Sequence, residues 1–253
     1  MQDPTRRFSN RADSYARYRP AYPEELLDLL AAECGLAPGL AVADVGSGTG
    51  ILSRLLLERG AEVYGVEPNR EMREAGERLL AGYENFTSVA GTAEATTLPG
   101  NSVGLVSAGQ AFHWFDPTGA REEFGRILVP GGRVALVWNS PLYGASPLMR
   151  DYRRLLERFG TDWEKVTHLE VDAGTLRPFF GGSFEERLLR NRQTFDRESL
   201  EGRLLSSSFV PGPGDERCSP MLEELSGVFS RHQRGGEVVF EYEVRVFHGS
   251  LEG

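Results

Sequence analysis

The sequence predicts a doubly wound α/β fold, and three observations favour it. Between "GLAVADVGSGTG" and "RVALVWNS", short apolar runs alternate with helical segments, as they do in βαβ units around a parallel sheet. A glycine-rich turn at residues 46–50 directly follows the first apolar run. The chain of 253 residues, with 40% hydrophobic and 26% charged residues, has the length and composition of one large α/β domain.

Apolar periodicity places the strands. Short apolar runs predict five strands at residues 40–45, 61–67, 86–90, 103–108 and 133–138, and apolar alternation predicts two later ones in "SFEERLLRNRQTF" and "EVVFEYEVRVFHG". Three helices are predicted between or before the early strands, in "PEELLDLLAAECG", "TGILSRLLLERG" and "PNREMREAGERLLAG". Later helical patterns occupy "SPLYGASPLMRDYRRLLERFGTDW" and "CSPMLEELSGVFSRHQR".

The segment "DPTGAREEFGRILVPGG" carries the signals of both helix ends. Asp116 is the expected N-cap and Pro117 the first helical residue, while residues 130–132 are expected to form the exit turn. This helix therefore begins directly behind "QAFHWFD", at the end of the predicted fourth strand.

Charge and cysteine content disfavour several classes of function. The chain has 28 Lys and Arg against 37 Asp and Glu, so its net charge of −9 disfavours nucleic acid as a partner. Cys34 and Cys218 lie far apart, which suggests neither a disulfide framework nor a zinc site and favours the cytoplasm. No apolar run approaches the roughly 20 residues of a spanning helix, so no membrane association is expected. The histidines outside "QAFHWFD" show no metal-ligand spacing, so no metal is predicted: His168, His232 and His248.

The glycine turn is the first candidate for a ligand site. Asp44 ends the first strand, and Gly46, Gly48 and Gly50 lead into a helix whose N-terminus offers free N–H groups. The spacing is G-x-G-x-G, whereas the dinucleotide fingerprint requires glycine where Ile51 stands. Nicotinamide binding is therefore the weaker interpretation.

Glu67 is the second candidate. It ends the second strand, 21 residues after Gly46, where a carboxylate can accept hydrogen bonds from both hydroxyls of a ribose. A plain surface glutamate is the alternative.

Taken together, the glycine turn, Glu67, the loop "GTAEATTLP" and the lead-in "LVPGGRVAL" resemble the class I S-adenosylmethionine-dependent methyltransferases of the type 11 kind. The resemblance implies a Rossmann-like, seven-stranded sheet, mostly parallel with an antiparallel last strand, plus a helical lid. It also implies S-adenosyl-L-methionine as cofactor. The cofactor-binding residues it implies in this core are Asp44, Gly46, Gly48, Gly50, Glu67, Pro68, Ala93, Glu94 and Gln110.

Two further segments are similar to the trans-aconitate methyltransferase branch: "RYRPAYP" near the N-terminus and "HWFD" after the fourth strand. This likeness implies a small-molecule acceptor and a lid in which Tyr15 and Arg19 meet the cofactor and Tyr18 meets the substrate. For Arg19, a solvated surface position is the alternative. The later segment "SLEGRLLSSSFVP" is similar in position to one that lies over the substrate in that branch.

Ligands of open α/β sheets lie beyond the carboxyl ends of the strands, which is where "QAFHWFD" lies. Gln110 and Phe112 are expected to border the methionine part of the cofactor. His113 and Trp114 are expected to face the acceptor, with His113 as the candidate catalytic base. The alternative, packing under the next helix, is the expectation for Phe115.

We therefore expect one methyltransferase domain over residues 1–253. Its predicted parts are a lid segment 1–22, a cofactor-binding core 23–140, a helical insertion 141–182, and the last two strands with an intervening helical cover segment in 183–253. The expected reaction is methyl transfer to a small molecule, possibly at a carboxylate or a hydroxyl. Methylation of RNA or protein, and a non-catalytic cofactor-binding protein, are the alternatives.

Overall fold

A computed structural model describes residues 20–161, 173–207 and 209–251. Seven strands form one sheet: β1 (Ala41–Val45), β2 (Glu62–Val66), β3 (Phe86–Val89), β4 (Val103–Gly109), β5 (Leu128–Pro141), β6 (Glu185–Phe195) and β7 (Val238–Gly249). Their order across the sheet is β3-β2-β1-β4-β5-β7-β6. Strands β1 to β5 pair in parallel, and β7 enters antiparallel between β5 and β6. The predicted fold class is confirmed.

Eight α-helices lie in the described residues: α1 (Glu25–Cys34), α2 (Ile51–Glu58), α3 (Arg70–Leu79), α4 (Pro117–Ile127), α5 (Pro147–Phe159), α6 (Ala173–Phe180), α7 (Arg197–Leu205) and α8 (Cys218–His232). The predicted start of α4 is confirmed, because the Asp116 side chain accepts a hydrogen bond from the Gly119 N–H and Pro117 is the first helical residue. Gly35 ends α1 in the left-handed conformation. None of the described helices combines the length and the apolar character needed to cross a membrane.

The exit turn predicted at residues 130–132 is wrong. Strand β5 begins at Leu128, directly after α4, and these residues lie within it. Leu128 pairs with Val103 of β4, and the register shifts before the next pair, Leu105 with Arg133. Gly131, at φ +79°, takes up this irregularity because glycine adopts positive φ without a steric penalty.

Three apolar clusters cover the sheet. One joins β4 and β5 to α4 and α6 on one face, and a second joins β1 and β2 to α1 and α2 on the other. The third packs α5, α7 and α8 over the first half of β7 and contains Tyr152, Leu200, Met221 and Tyr242. Helix α5 of the predicted insertion and the two helices of the predicted cover segment therefore share one core.

Candidate functional site

The glycine turn lies at the carboxyl end of β1 and requires glycine for two reasons. Gly46, Gly48 and Gly50 have φ values of +68°, +57° and +83°, in the left-handed region that other residues rarely adopt. A Cβ on Gly46 would lie 2.6 Å from the Cβ of Ala111, which follows β4. The turn is thus pressed against the exit of β4, and a side chain at Gly46 has no room there.

Glu67 is buried at the end of β2 and fixes the turn from the other side. Its Oε2 accepts a hydrogen bond from the Gly48 N–H at 2.9 Å, and its Oε1 accepts one from the Asn69 N–H at 2.8 Å. Burial raises the pKa of this carboxyl, and the hydrogen bonds from Asn69 and Gly48 oppose the rise. The sequence located Glu67 at the edge but did not show that it holds the backbone of the glycine turn.

Asp44 lies beneath the turn and is 1% exposed. Its Oδ2 accepts a hydrogen bond from Ser53 Oγ at 2.6 Å, and its Oδ1 accepts one from Ser107 Oγ at 3.1 Å. Burial raises its pKa to about 6. Asp44 therefore joins β1 to α2 and β4 from inside the protein, and its carboxylate is covered at the edge where a ligand would bind.

Gln110 leaves β4 in a strained conformation, with φ +56°. Its backbone N–H donates to the Val137 carbonyl at 2.8 Å, and its Nε2 donates to the Asn139 carbonyl at 2.7 Å. Positive φ in a residue other than glycine costs free energy and is concentrated at functional sites. Two hydrogen bonds to β5 hold this conformation.

Within the rest of "QAFHWFD", the structure separates packing residues from edge residues. Phe112 was expected at the cofactor border, but it is 1% exposed and makes edge-to-face contacts with Phe179 and Trp138, so that expectation is wrong. Phe115 packs against Phe124 as expected. His113 and Trp114 are half-buried, with ring centroids 4.8 Å apart, at the same edge as the glycine turn.

The loop after β3 reaches the start of α4. Ala93 is buried, and the exposed Glu94 accepts a hydrogen bond from the Asp116 N–H at 2.9 Å. Pro68 is exposed beside Glu67. The structure therefore brings the predicted residues after β1, β2, β3 and β4 to one edge of the sheet.

Sequence reasoning missed Glu123, which ties α4 to this loop. Its Oε1 accepts hydrogen bonds from both the N–H and the Oγ1 of Thr96. Arg126 donates to the same carboxylate, and its hydrogen bonds, with those from Thr96, lower the pKa of Glu123 to about 2. The i, i+3 spacing of Glu123 and Arg126 in one helix indicates their ion pair, but nothing in the local sequence indicates the contact of Glu123 with Thr96.

Tyr15, Tyr18 and Arg19 lie outside the described residues, so the predicted lid contacts stay predictions. The chain is described from residue 20, and the Ala21 carbonyl accepts hydrogen bonds from the side chains of Asn139 and Asn191. This carbonyl is thus fixed to β5 and β6 near the site.

One side-chain cluster lies at the opposite edge of the sheet. Possible ligand atoms of Glu33, Glu185 and His248 lie within 4.8 Å of one another, a proximity that sequence spacing did not reveal. Arg187 bridges the two carboxylates, at 3.4 Å from Glu33 and 2.5 Å from Glu185, and supplies positive charge there. Burial lowers the pKa of His248.

Comparison with known proteins identifies the family. Residues 43–136 match a family model described as a methyltransferase domain. Over 240 residues the chain is 33% identical to an uncharacterized methyltransferase of Schizosaccharomyces pombe, a match that covers 93% of each protein. The chain belongs to the class I methyltransferase family.

Other relatives agree with this family. An uncharacterized methyltransferase of Mycobacterium tuberculosis is 42% identical over 133 residues, and this match spans about half of each protein, 53% of this chain and 52% of the relative. A solved structure from Anaeromyxobacter dehalogenans, assigned as a type II methyltransferase, shares the fold of this methyltransferase. The two structures have a TM-score of 0.66 and 22% sequence identity, and the match covers 92% of this chain and 98% of that one. The YcgJ protein of Bacillus subtilis has a TM-score of 0.56 at 19% identity, over 91% of this chain and all of that one.

Proposed function

We propose that this methyltransferase transfers the methyl group of S-adenosyl-L-methionine to a small-molecule acceptor at the carboxyl edge of its sheet. The observation that carries the proposal is the buried Glu67 carboxylate, which is bonded to the glycine turn at the end of β2. Glu67 and the glycine turn would hold the cofactor there, and its sulfonium would supply an electrophilic methyl group to a lone pair of the acceptor, with the electrons of the carbon–sulfur bond left on sulfur.

The residues present fit an adenosyl group. Each Glu67 oxygen accepts one backbone hydrogen bond and keeps a lone pair for a ribose hydroxyl. The glycine turn presents backbone without side chains, in front of the N-terminus of α2. Within that turn, the Thr49 hydroxyl is buried and has no hydrogen-bond partner among the described residues, which suits a polar ligand.

We assign the other predicted residues to three roles: contact with the cofactor, positioning of the glycine turn, and closure of the site. Ala93, Glu94 and Pro68 border the adenosyl group, and Gln110 the methionine part. Asp44 acts as a positioning residue beneath the turn, since both of its oxygens accept hydrogen bonds from serine hydroxyls. The lid contacts proposed for Tyr15, Tyr18 and Arg19 would close the site.

We propose that the side chains of His113 and Trp114 line the part of the site that binds the methyl acceptor. An acceptor carboxylate is already ionised and releases no proton on methylation. A hydroxyl acceptor must lose its proton, and His113 is the group at this edge that takes it. In either case the site serves to align the acceptor with the methyl group and, once closed, to exclude water.

The trans-aconitate branch, a small acceptor and a cytoplasmic location stay proposals. Cys34 and Cys218 are both free and buried, which agrees with a reducing compartment. Burial raises the pKa of the Cys34 thiol to about 12, so it has no nucleophilic role near neutral pH.

Titration calorimetry with S-adenosylhomocysteine tests the proposal, followed by transfer of a labelled methyl group to a panel of acids, phenols and amines. We expect binding and turnover of one acceptor class. Failure to bind S-adenosylhomocysteine at high micromolar concentration would refute it, and binding of NADH instead would favour an oxidoreductase. Tight cofactor binding without turnover of any panel member would indicate a non-catalytic binding protein.

A further inference from the structure

His248, near the end of β7, is a fully buried imidazole whose hydrogen-bonding capacity is unused. It is 0% exposed, and neither of its ring nitrogens has a hydrogen-bond partner among the described residues. A buried polar atom without a partner costs free energy, so such an atom in a folded protein calls for an explanation. The unprotonated nitrogen of an imidazole can be satisfied by a hydrogen-bond donor, a water molecule or a metal ion.

Two carboxylates face His248 at the edge of the sheet where β6 begins and β7 ends. Glu185, the first residue of β6, pairs directly with His248, so the two side chains lie on the same face of the sheet. Glu33, in the last turn of α1, reaches the same place, and one ligand atom from each of the three residues lies within 4.8 Å of the other two. Ala135 of β5 pairs with His248 on its other side and occupies little space. We call Glu33, Glu185 and His248 the acid–histidine cluster.

Arg187, two residues further along β6, satisfies the carboxylates of the cluster but not its imidazole. Its guanidinium lies 3.4 Å from Glu33 and 2.5 Å from Glu185, yet it makes no hydrogen bond with His248. The Arg187 side chain is 41% exposed, so it can turn into solvent, and exposed ion pairs of this kind are weak. Arg133 also acts electrostatically on His248. With Arg187 turned outward, two carboxylates face one arginine, and this net negative charge attracts a cation.

A divalent transition-metal ion can satisfy all three side chains of the acid–histidine cluster at once. Zn²⁺ binds carboxylate oxygen and imidazole nitrogen at about 2.0–2.2 Å, which places tetrahedral ligand atoms ~3.4 Å apart. Glu33 and Glu185 are long and partly exposed, so rotation about their side-chain bonds can bring the ligand atoms from at most 4.8 Å to that separation. An imidazole among the ligands favours Zn²⁺ or Ni²⁺ over Mg²⁺ and Ca²⁺, which take oxygen ligands.

We propose that Glu33, Glu185 and His248 bind a divalent transition-metal ion such as Zn²⁺, and that Arg187 holds the two carboxylates when the ion is absent. The sequence predicted no metal, because these three residues lie far apart along the chain. The ion joins α1 to β6 and β7 and stabilises this edge of the sheet. The inference is independent of the proposed function, since the glycine turn lies at the opposite edge.

Titration of the tag-free, chelator-treated protein with Zn²⁺ alone tests this inference by calorimetry and by thermal unfolding. We expect one Zn²⁺ to bind per chain and Tm to rise with the Zn²⁺ concentration, because an ion that binds only the folded protein stabilises it. Mg²⁺ should produce neither effect. Co²⁺ is a spectroscopic probe of the same site, and its absorption bands should be those of a complex with nitrogen and oxygen ligands.

Substitutions in the cluster have opposite expected effects on the Kd for Zn²⁺. His248→Gln and Glu185→Gln each remove a ligand and should raise Kd at least ~10-fold. Arg187→Gln removes the competing cation and should lower Kd by about 2- to 5-fold, a gain in affinity that loss of structure would not produce. Glu186→Gln is the matched control, because Glu186 points to the other face of β6 and accepts a hydrogen bond from Arg245 at 2.9 Å. Its Kd should stay within twofold of wild type.

No binding of Zn²⁺ by the wild-type protein would overturn the proposal and would favour a water molecule as the partner of His248. Equal affinity for Zn²⁺ and Mg²⁺ would also overturn it, as would Zn²⁺ binding that persists unchanged in Glu185→Gln. Should His248→Gln not fold, Glu185→Gln and Arg187→Gln still decide the question, because both residues lie at the protein surface. A site elsewhere in the chain predicts no change of Kd in either variant.

Discussion

Replacement of Glu67 by glutamine tests two roles of this carboxylate together: holding the backbone of the glycine turn and binding the ribose of the cofactor. In the structure its two oxygens accept hydrogen bonds from the Gly48 N–H and the Asn69 N–H. Glutamine keeps the shape but has one acceptor oxygen, and its amide nitrogen would face the other N–H group. The variant therefore leaves one buried backbone donor without an acceptor and removes the charge offered to a ribose.

The size of both effects follows from these contacts. A buried N–H group without an acceptor costs about 1–3 kcal/mol, which in a chain of 253 residues lowers Tm by roughly 2–12 °C. Replacing a charged acceptor by a neutral one weakens a ligand hydrogen bond by about 1–2 kcal/mol, so Kd for S-adenosylhomocysteine should rise ~10-fold or more. Calorimetry and differential scanning calorimetry measure the two effects separately.

The pH dependence adds a second readout. Because burial raises the pKa of Glu67, cofactor affinity in the wild-type protein should fall as the pH drops through that raised pKa. The Glu67→Gln variant should lack this fall. Glu62→Gln, at the exposed start of the same strand, is the control and should behave as wild type. Affinity within twofold of wild type in Glu67→Gln, at every pH, would refute the assignment of Glu67 to the cofactor.

Three further predictions concern the glycine turn and its neighbours. Gly46→Ala should lose cofactor binding, and its free energy of unfolding should fall by more than the ~1 kcal/mol that positive φ alone costs. Gly39→Ala, at φ +78° with open space around it, is the control and should lose only that amount. Equal losses of the two variants in denaturant titration would argue against the contact with Ala111. The pKa of the Asp44 carboxyl is raised to about 6 in the folded state, so its contribution to stability is present at acidic pH and is lost as the pH rises from about 4 to 6. Over that interval, the free energy of unfolding of the wild-type protein should fall by about 3 kcal/mol relative to that of Asp44→Asn. A difference that does not change with pH would contradict the burial of the charge. His113→Ala should lower kcat while leaving Kd for S-adenosylhomocysteine within a few-fold, and equal losses in both would remove His113 from the acceptor side.

The sequence predicted those parts of the fold that short-range patterns determine. Helices with a clear 3.6-residue period follow β1, β2 and β4, and glycine, proline and Asp116 mark where they begin or end. The positions of these elements and the cap of α4 were therefore predictable. The start of β5 was not predictable, because Leu128 pairs with Val103 ahead of a shift in register, which places residues 130–132 inside the strand despite their turn composition.

In the candidate site, too, features set by short-range sequence patterns were predictable, and features set by contacts with distant parts of the chain were not. The glycine turn and Glu67 stand at strand ends, so their meeting at one edge follows from parallel topology. The burial of Phe112 and of Arg203 depends on α6 and β7, which lie far away in the sequence. A run such as "GRLLSSSF" shows a polar helix end, which Ser206 confirms by donating to the Arg203 carbonyl, but it does not show that the arginine points inward.

The chain order of the last two strands also matters during synthesis. Strand β6 leaves the ribosome well before β7, which is its one neighbour in the sheet that the described residues form. Until residue 249 has been made, the backbone groups of residues 185–195 have no partner strand, and a nascent chain could pair with another copy there. Arg190 and Arg192 lie on the exposed face of β6, and charged side chains on an edge strand oppose such pairing. We therefore expect Arg190 and Arg192 to disfavour pairing between unfinished copies of the chain.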